Sequence, residues 1–567
     1  MNKAFLFIII NCSLLTINCF AQSPSWVWGK DAVCSPNGGG LAYAIAKDNS
    51  GHIYHTGIFG DSITFGTNTY YDTDTGFSAT YLVKYDTAGN LIWARSSGGP
   101  GAAIVSAITT DGASNIYITG YYLGGSVSFG AFTLDTTDYD GIFMAKYDSA
   151  GNVLWAVICD SSSIGYPYGI ATDLANNVYL TGTIYSPTIK FGPYSLTNNG
   201  LVNYFVVKYD SSAHVIWARK AGETGIDKTY GIVTDTIGNE YITGYFNSHQ
   251  IVIGPDTLTN LGTHNVFIAK YDSSGNALWA RGGGGIYGDM GLSIATDKRD
   301  NEYVTGQFTS PTINFGNDTL TTPGGETMFL VKYDASGNVQ WATSSVNNFN
   351  CNCFPYNVAV DLNSNPVVIG CLGYPQVGLV TFDTTALNPP PDTHNPMYIV
   401  RYNSSGHSLW GKILVIGGGD DNTNGGVLYD ANNIYICAEF ETTPLVFNND
   451  SLYNLGIHTP FLAKLEYNGN VGISNIEEHQ NISIYPNPND GNFTIAYHLS
   501  NNSQFSILNS QFIITDVMGR EVHHQPITPN SSLLIQINIS DLNNGIYFWK
   551  MISNNHILDN GKIVIIK

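Results

Sequence analysis

The chain has 567 residues and a net charge of −21, from 44 Asp and Glu against 23 Lys and Arg; only 12% of it is charged, where soluble domains carry roughly 25%. Tyr, Asn, Thr, Gly and Ser fill the difference, a composition that speaks for a turn-rich exported β protein and against a helical cytosolic enzyme. With so few basic residues and no Lys/Arg stripe, the chain lacks the electrostatic footprint of a binder of nucleic acid or of an anionic membrane surface, and a polyanionic ligand is disfavoured.

The first element is a leader. Lys3 precedes an apolar run, and Cys19-Phe20-Ala21 fits a small-x-small cleavage site, so residues 1–21 read as a signal peptide cut between Ala21 and Gln22. Cys19 raises a lipoprotein alternative, against which Thr16-Ile17-Asn18 is a poor lipobox. No later apolar stretch approaches the roughly 20 residues of a membrane helix, so the mature chain is expected to have no transmembrane segment.

From there one phrase recurs seven times. It reads KYDTAGNLIWA at Lys84, KYDSAGNVLWA at Lys146, KYDSSAHVIWA at Lys208, KYDSSGNALWA at Lys270 and KYDASGNVQWA at Lys332, each 62 residues after the last. RYNSSGHSLWG at Arg401 and KLEYNGNVGIS at Lys464 are drifted copies. Length alone would suggest three or four domains, but a fixed period marks a repeat architecture and overrides that count.

One unit, read from Tyr168, runs GIATD, a turn, VYLTGTIY, a longer connection with a small hairpin, YFVVKYD, a turn, and VIWARKAG. Short runs rich in Val, Ile, Tyr and Thr between Gly/Asn/Asp turns are strands, and their weak alternation indicates burial on both faces. Four antiparallel strands repeated seven times predict an all-β fold, a seven-bladed β-propeller over residues 22–473. Innermost strands fall near Ala44, Ala107, Ile170, Ile232, Ile294, Val358 and Leu428, while the outer strand with its Trp is missing after Lys464. Trp26-Val27-Trp28-Gly29-Lys30 looks like that missing strand, so the N-terminal strand is expected to close the ring and remove its free edge.

The recurrent residues read as frame. Trp contributes large apolar area wherever one unit meets the next. Asp48, Asp111, Asp173, Asp235, Asp297, Asp361 and Asp430 end the innermost strands and could form a cation-binding ring. The same Asp also precedes the outer turn (Asp86, Asp148, Asp210, Asp272, Asp334), where no channel exists, and turn capping explains both sets. The Lys of Lys-Tyr-Asp is then a structural partner of such carboxylates.

Because strands alternate in direction, the two turns of each unit share a monotonous face, and the longer connections share a variable one. Binding resides in variable loops on rigid scaffolds, so any ligand is placed there. Asp72, Asp74, Asp135, Asp138, Asp140, Asp420 and Asp421 form its acid clusters. They could hold calcium through oxygen ligands, but a full loop pattern with its terminal Glu is lacking, so solvated turns are preferred and no cofactor is expected. His52 and His55 point to opposite faces, which argues against a two-His metal site. Six mature cysteines contain no zinc pattern, and a bridge from Cys371 to Cys351 or Cys353 is expected. No Gly-x-Ser-x-Gly elbow, His-Glu-x-x-His helix or Gly-Lys-Ser/Thr phosphate loop occurs, so no catalytic residue is assigned.

After Gly472 the repeat stops. Tyr485-Pro486-Asn487-Pro488, Gly491, Asp516-x-x-Gly519-Arg520, Leu542-x-x-Gly545-Ile546-Tyr547 and Lys562-Ile563-Val564 follow in order across residues 474–567. This tail resembles the C-terminal sorting domain of the type IX secretion system of Bacteroidota. Its alternating strands and Gly/Asn turns suggest a small β-sandwich, and the resemblance implies export across the outer membrane by that machinery, removal of the tail by a sortase-like peptidase, and release or surface attachment. The repeats resemble the bacterial SBBP β-propeller family, in which IATDxxGNxYITG precedes KYDxxGNxxW; that family implies a fold and no shared reaction. The expectation is a monomeric, non-catalytic, secreted or surface-attached protein that binds a glycan, a protein or an environmental polymer. The alternatives are an extracellular glycan hydrolase or lyase using acids of the loop-rich face, and a structural surface scaffold.

Overall fold

The computed structural model describes residues 24–72, 79–135, 141–160, 164–322, 324–347, 352–373, 378–389, 395–414, 425–430, 432–441, 444–447, 450–466, 482–485, 489–497, 510–516, 520–527, 534–553 and 556–567. Among them regular structure is β throughout, in antiparallel sheets, and no helix occurs. Two compact units divide the chain, Met1–Asn468 and Gly469–Lys567.

In the first unit one four-stranded order recurs. For one repeat it is Gly165–Thr172, Val178–Ile184, Asn203–Tyr209 and Val215–Ala221, each paired to the next. The second and third strands are buried on both faces, which explains their unbroken apolar runs. The longer connection forms the hairpin Thr188–Phe191 with Tyr194–Thr197, whose Ile189 and Phe191 are fully buried. Innermost strands lie side by side in the order Gly40–Lys47, Ala102–Thr110, Gly165–Thr172, Asp227–Thr234, Asp289–Thr296, Asn352–Val360 and Gly426–Asp430, and the last packs against the first.

The N-terminal strand Ser25–Asp31 pairs antiparallel with Thr459–Glu466, Gly29 opposite Ala463, and so becomes the outer strand of the seventh sheet. Its continuation, Val33–Cys34, pairs with Ser62–Phe65 of the first repeat's hairpin. Trp28 lies on the turn of the first repeat: a Cβ at Gly89 would come within 2.9 Å of its ring. Trp93 meets Gly151, Trp217 meets Gly275 and Trp279 meets Gly337 in the same way. These glycines have positive φ, +78° at Gly275, so both the backbone and the neighbouring indole require the missing side chain. Trp93, Trp217 and Trp279 also donate Nε1–H to the backbone carbonyls of Ser149, Ser273 and Ala335, at 3.2, 3.2 and 3.3 Å.

Asp173 shows what the repeated carboxylate does. Its Oδ1 accepts from the backbone N–H of Ala175 and Asn177 at 3.0 and 2.8 Å, and its Oδ2 from Asn177 Nδ2 at 2.8 Å and Tyr179 at 3.0 Å. Lys208 sits 3.4 Å away; Lys84, Lys146, Lys270 and Arg401 stand likewise beside Asp48, Asp111, Asp235 and Asp361. The carboxylates are taken up by turns and by the Lys of the repeated phrase. In the outer turn Asp86 caps Ala88 and Asn90 in the same manner.

The cysteine expectation needs correction in part. Cys353 lies opposite Leu372, and Phe354 lies opposite Cys371. Side chains alternate along a strand, so Cys353 and Cys371 leave opposite faces of the sheet and cannot bridge each other. Cys351 lies outside the described residues. His52 and His55 do diverge: His52 bonds Asp48 at 2.9 Å, whereas His55 is buried among the rings of Phe65, Tyr81 and Tyr85. Burial pulls the His55 pKa down to about 3, so it packs as a neutral ring.

In the second unit a three-stranded sheet (Ile482–Tyr485, Asn492–Tyr497, Leu534–Asn538) and a four-stranded sheet (Glu521–Ile527, Ser510–Thr515, Gly545–Ser553, His556–Ile565) share one core, including Phe493, Ile495, Phe512, Ile514, Trp549 and Met551.

Candidate functional site

The seven innermost strands together line one cavity of about 550 Å³. Their walls are shaped by a repeated irregularity. In six of them the register with the second strand slips at the same place, between Ala42 and Ala44 in the first and between Pro167 and Gly169 in the third. A bulge leaves one residue unpaired and re-aims its side chain. The bulged residues are Tyr43, Ser106, Tyr168, Tyr230, Leu292 and Tyr356, and every one of them lines the cavity.

These positions lie midway along the innermost strands, and the strand residues before them lead back to the variable connections. Here the repeats differ, and one sector is aromatic. Tyr168 packs on Tyr230 with centroids 5.2 Å apart, Tyr230 on Tyr245 at 6.0 Å, and Tyr245 on His264 at 4.7 Å. On the other side Tyr166 makes edge contacts with Tyr121 at 4.8 Å and Tyr185 at 5.4 Å. Tyr43, Tyr121, Tyr166, Tyr168, Tyr230 and Tyr245 are half-buried and Tyr185 is exposed, so their rings are supported from behind and open in front. Burial, with neighbouring phenols adding to it, raises the pKa of Tyr230; burial also raises that of Tyr245. Both are neutral hydrogen-bonding rings at ordinary pH. Lys228, directly opposite Tyr245 in the sheet, places its ammonium 5.5 Å from the Tyr185 ring centroid.

Glu439 occupies the place of Tyr121 in the seventh repeat. It is buried, and burial pushes its carboxyl up to about 8, a backbone hydrogen bond from Ala42 opposing. Burial raises neighbouring Tyr43 to about 12, with Glu439 and Tyr121 contributing. This side of the mouth therefore carries a neutral acid and a neutral phenol.

The loop-face acids are not gathered here. Asp72 and Asp135 end hairpin segments, while Asp74, Asp138, Asp140, Asp420 and Asp421 lie outside the described residues. Among the described residues no group of three or more His, Cys, Asp or Glu is placed to hold a metal ion. Ala21, Gln22, Pro486, Asn487, Pro488 and Gly519 lie outside the described residues. Gly491 has φ +101° and its missing Cβ would come within 2.6 Å of the Ser540 backbone. Asp516 holds Arg520 through its backbone N–H at 3.0 Å and its Nε at 2.8 Å. Gly545 opens the strand Gly545–Ser553, and the Tyr547 hydroxyl donates to the Asn543 carbonyl at 3.0 Å.

Residues 483–567 match the family described as "Secretion system C-terminal sorting domain". The chain thus ends in a sorting domain for type IX secretion and is a secreted or surface-exposed protein; no described helix is long and apolar enough to cross a membrane. An uncharacterized WD repeat-containing protein of Acanthamoeba polyphaga mimivirus is 28% identical over 407 residues, which is 58% of this chain and 29% of that protein. The chain therefore spans under a third of that relative's length. A protein of unknown function from Dyadobacter fermentans DSM 18053 resembles 79% of this chain, over 100% of its own length, at 10% identity and TM-score 0.37. The Neurospora crassa Pan2 WD40 domain resembles 63% of this chain, over 88% of its own, at 9% identity and TM-score 0.29. Structural resemblances this remote carry no argument.

Proposed function

We propose that residues 22–473 form a closed seven-bladed β-propeller of SBBP-type repeats, followed by a sorting sandwich over 474–567, and that the propeller is a non-catalytic binding module for saccharides at or beyond the cell surface. Closure is supported by the N-terminal strand in the seventh sheet and by Trp28 seated on the first repeat. The observation that carries the function is the tyrosine sector at the cavity mouth. Ligand sites combine apolar, often aromatic walls with a few placed polar groups, and a tyrosine supplies both a flat face and a hydroxyl. Sugar rings present the same pairing of apolar faces and hydroxyl edges. The cavity is lined by the bulged residues, which differ from repeat to repeat.

In this reading the sorting domain serves delivery through the type IX machinery, with a sortase-like peptidase removing it, and the propeller acts as a monomer. The test is a glycan and polysaccharide array probed with the purified protein, with product analysis of every hit. Binding without turnover, abolished by Tyr230→Ala, is expected. Turnover of a bound glycan would move the assignment to a hydrolase or lyase, and an empty array would favour a structural scaffold.

A further inference from the structure

We propose that Lys228 and the tyrosines around it form a subsite for the carboxylate of an acidic saccharide, of the uronic-acid class; this rests on the saccharide-binding reading and names the ligand within it.

The inner-strand position two residues before the bulge is Leu41, Ile104, Tyr166, Met290 and Phe354 in five repeats. In the fourth it is Lys228, so a cation stands where the frame asks for an apolar or aromatic group. Four lysines of the repeated phrase stand beside a carboxylate, Lys84, Lys146, Lys208 and Lys270 beside Asp48, Asp111, Asp173 and Asp235. Lys228 has no carboxylate within ion-pair distance among the described residues. Asp227, next to it, is fully buried and committed elsewhere: it accepts from Glu223 N at 2.9 Å and from Ser248 Oγ at 2.7 Å. The neighbours of the Lys228 ammonium are instead the phenols of Tyr185, Tyr245 and Tyr168.

Burial by itself disfavours the ammonium, but a hydrogen bond with Tyr185 and the nearby phenols of Tyr245 and Tyr168 outweigh it and hold Lys228 charged, its pKa raised, so the phenols present a cation where the other repeats carry an apolar or aromatic side chain. An incoming carboxylate would meet this held cation in a charge-assisted hydrogen bond. The flanking rings of Tyr185 and Tyr245 would flank the sugar that carries it, and Tyr230 continues that wall into the cavity. The net charge of −21 does not oppose this short-range contact, because charges beyond about 8 Å are screened at physiological salt.

The experiment is calorimetric titration of the purified protein with tri-galacturonate, tri-mannuronate and tri-glucuronate, each against its methyl ester, which keeps the sugar and removes the charge. At least one free acid is expected to bind at least tenfold more tightly than its ester. Lys228→Met should abolish that preference while leaving ester affinity within twofold, and Lys228→Arg should retain it. Equal affinity for acid and ester overturns the subsite and leaves the saccharide reading standing. Failure of all six probes, with neutral glycans binding on the array, likewise overturns the subsite alone; failure of both sets overturns both. Binding of an acidic peptide in place of every saccharide overturns the proposal in favour of a protein ligand. A changed denaturation midpoint in Lys228→Met would transfer the comparison to Tyr185→Ala, at an exposed ring, where the same loss of acid preference is expected and its persistence refutes the subsite.

Discussion

If the N-terminal strand completes the ring, Trp28 must behave as an interior member of the repeat although it lies at the start of the chain. Its side chain is 5% exposed, packs 6.0 Å from the Tyr435 ring and covers Gly89 of the first repeat. Trp93, its counterpart between the first and second repeats, is 8% exposed, 5.9 Å from Tyr54, and covers Gly151. Truncating a buried Trp to Ala removes about 3–5 kcal/mol of stability. The two sites differ in one respect: Trp93 Nε1 donates to Ser149 at 3.2 Å, whereas Trp28 Nε1 has no hydrogen-bond partner among the described residues. Since a net hydrogen bond is worth about 1 kcal/mol, Trp28→Ala should cost the same as Trp93→Ala or about 1 kcal/mol less. Urea denaturation followed by far-UV circular dichroism of both variants measures this. A cost below about 1 kcal/mol for Trp28→Ala, the range of surface substitutions, beside a full cost for Trp93→Ala would refute the closure argument.

Glu240 is fully buried, its carboxylate has no side-chain hydrogen-bond partner among the described residues, and burial raises its pKa to about 9 against the partial relief offered by Lys208 and by its own backbone N–H. A folded-state pKa above the unfolded value of about 4.3 means stability is fully present below that value and falls as pH rises toward 9. Glu240→Gln should therefore match the parent near pH 4 and gain on it up to pH 8 with a limiting slope of about 1.4 kcal/mol per pH unit; parallel pH profiles of the two proteins would contradict this. Asp235 caps its turn and stands 3.6 Å from Lys270, so Asp235→Ala leaves a buried ammonium behind and should cost about 3–5 kcal/mol. Asp86→Ala, in an exposed turn, should cost about 1 kcal/mol. Denaturation midpoints showing the two equal would mean the repeated carboxylates are not frame.

The frame was legible because it is periodic. The 62-residue interval, the missing Trp after Lys464 and the surplus Trp28 led to the strand pairing of Ser25–Asp31 with Thr459–Glu466. The duplicated Asp turns likewise separated capping from a cation ring. The mouth was legible only as a face. Its chemistry depends on bulges at Tyr43, Tyr168, Tyr230 and Tyr356, and a bulge is a backbone irregularity that side-chain alternation does not announce. Lys228 stands as a cation in the column that holds Leu41, Ile104, Tyr166 and Met290 in other repeats. The Cys353–Cys371 pairing failed for a related reason: proximity in one repeat says nothing about the face a side chain leaves, and register decides it. Buried Glu240 and Glu302 replace Ile116 and Val178 at the start of the second strand, a polar substitution in an apolar column that periodicity averages away.

In the proposed reading the tyrosine sector at the cavity mouth, and not the repeated Lys-Tyr-Asp phrase, meets the ligand. Calorimetric affinity of the parent, Tyr230→Ala and Tyr185→Ala for the strongest array glycan tests it most directly. A loss of at least tenfold, about 1.4 kcal/mol, in both variants with denaturation midpoints unchanged for Tyr185→Ala is the predicted result. Undiminished affinity in both would place the ligand elsewhere and contradict the account.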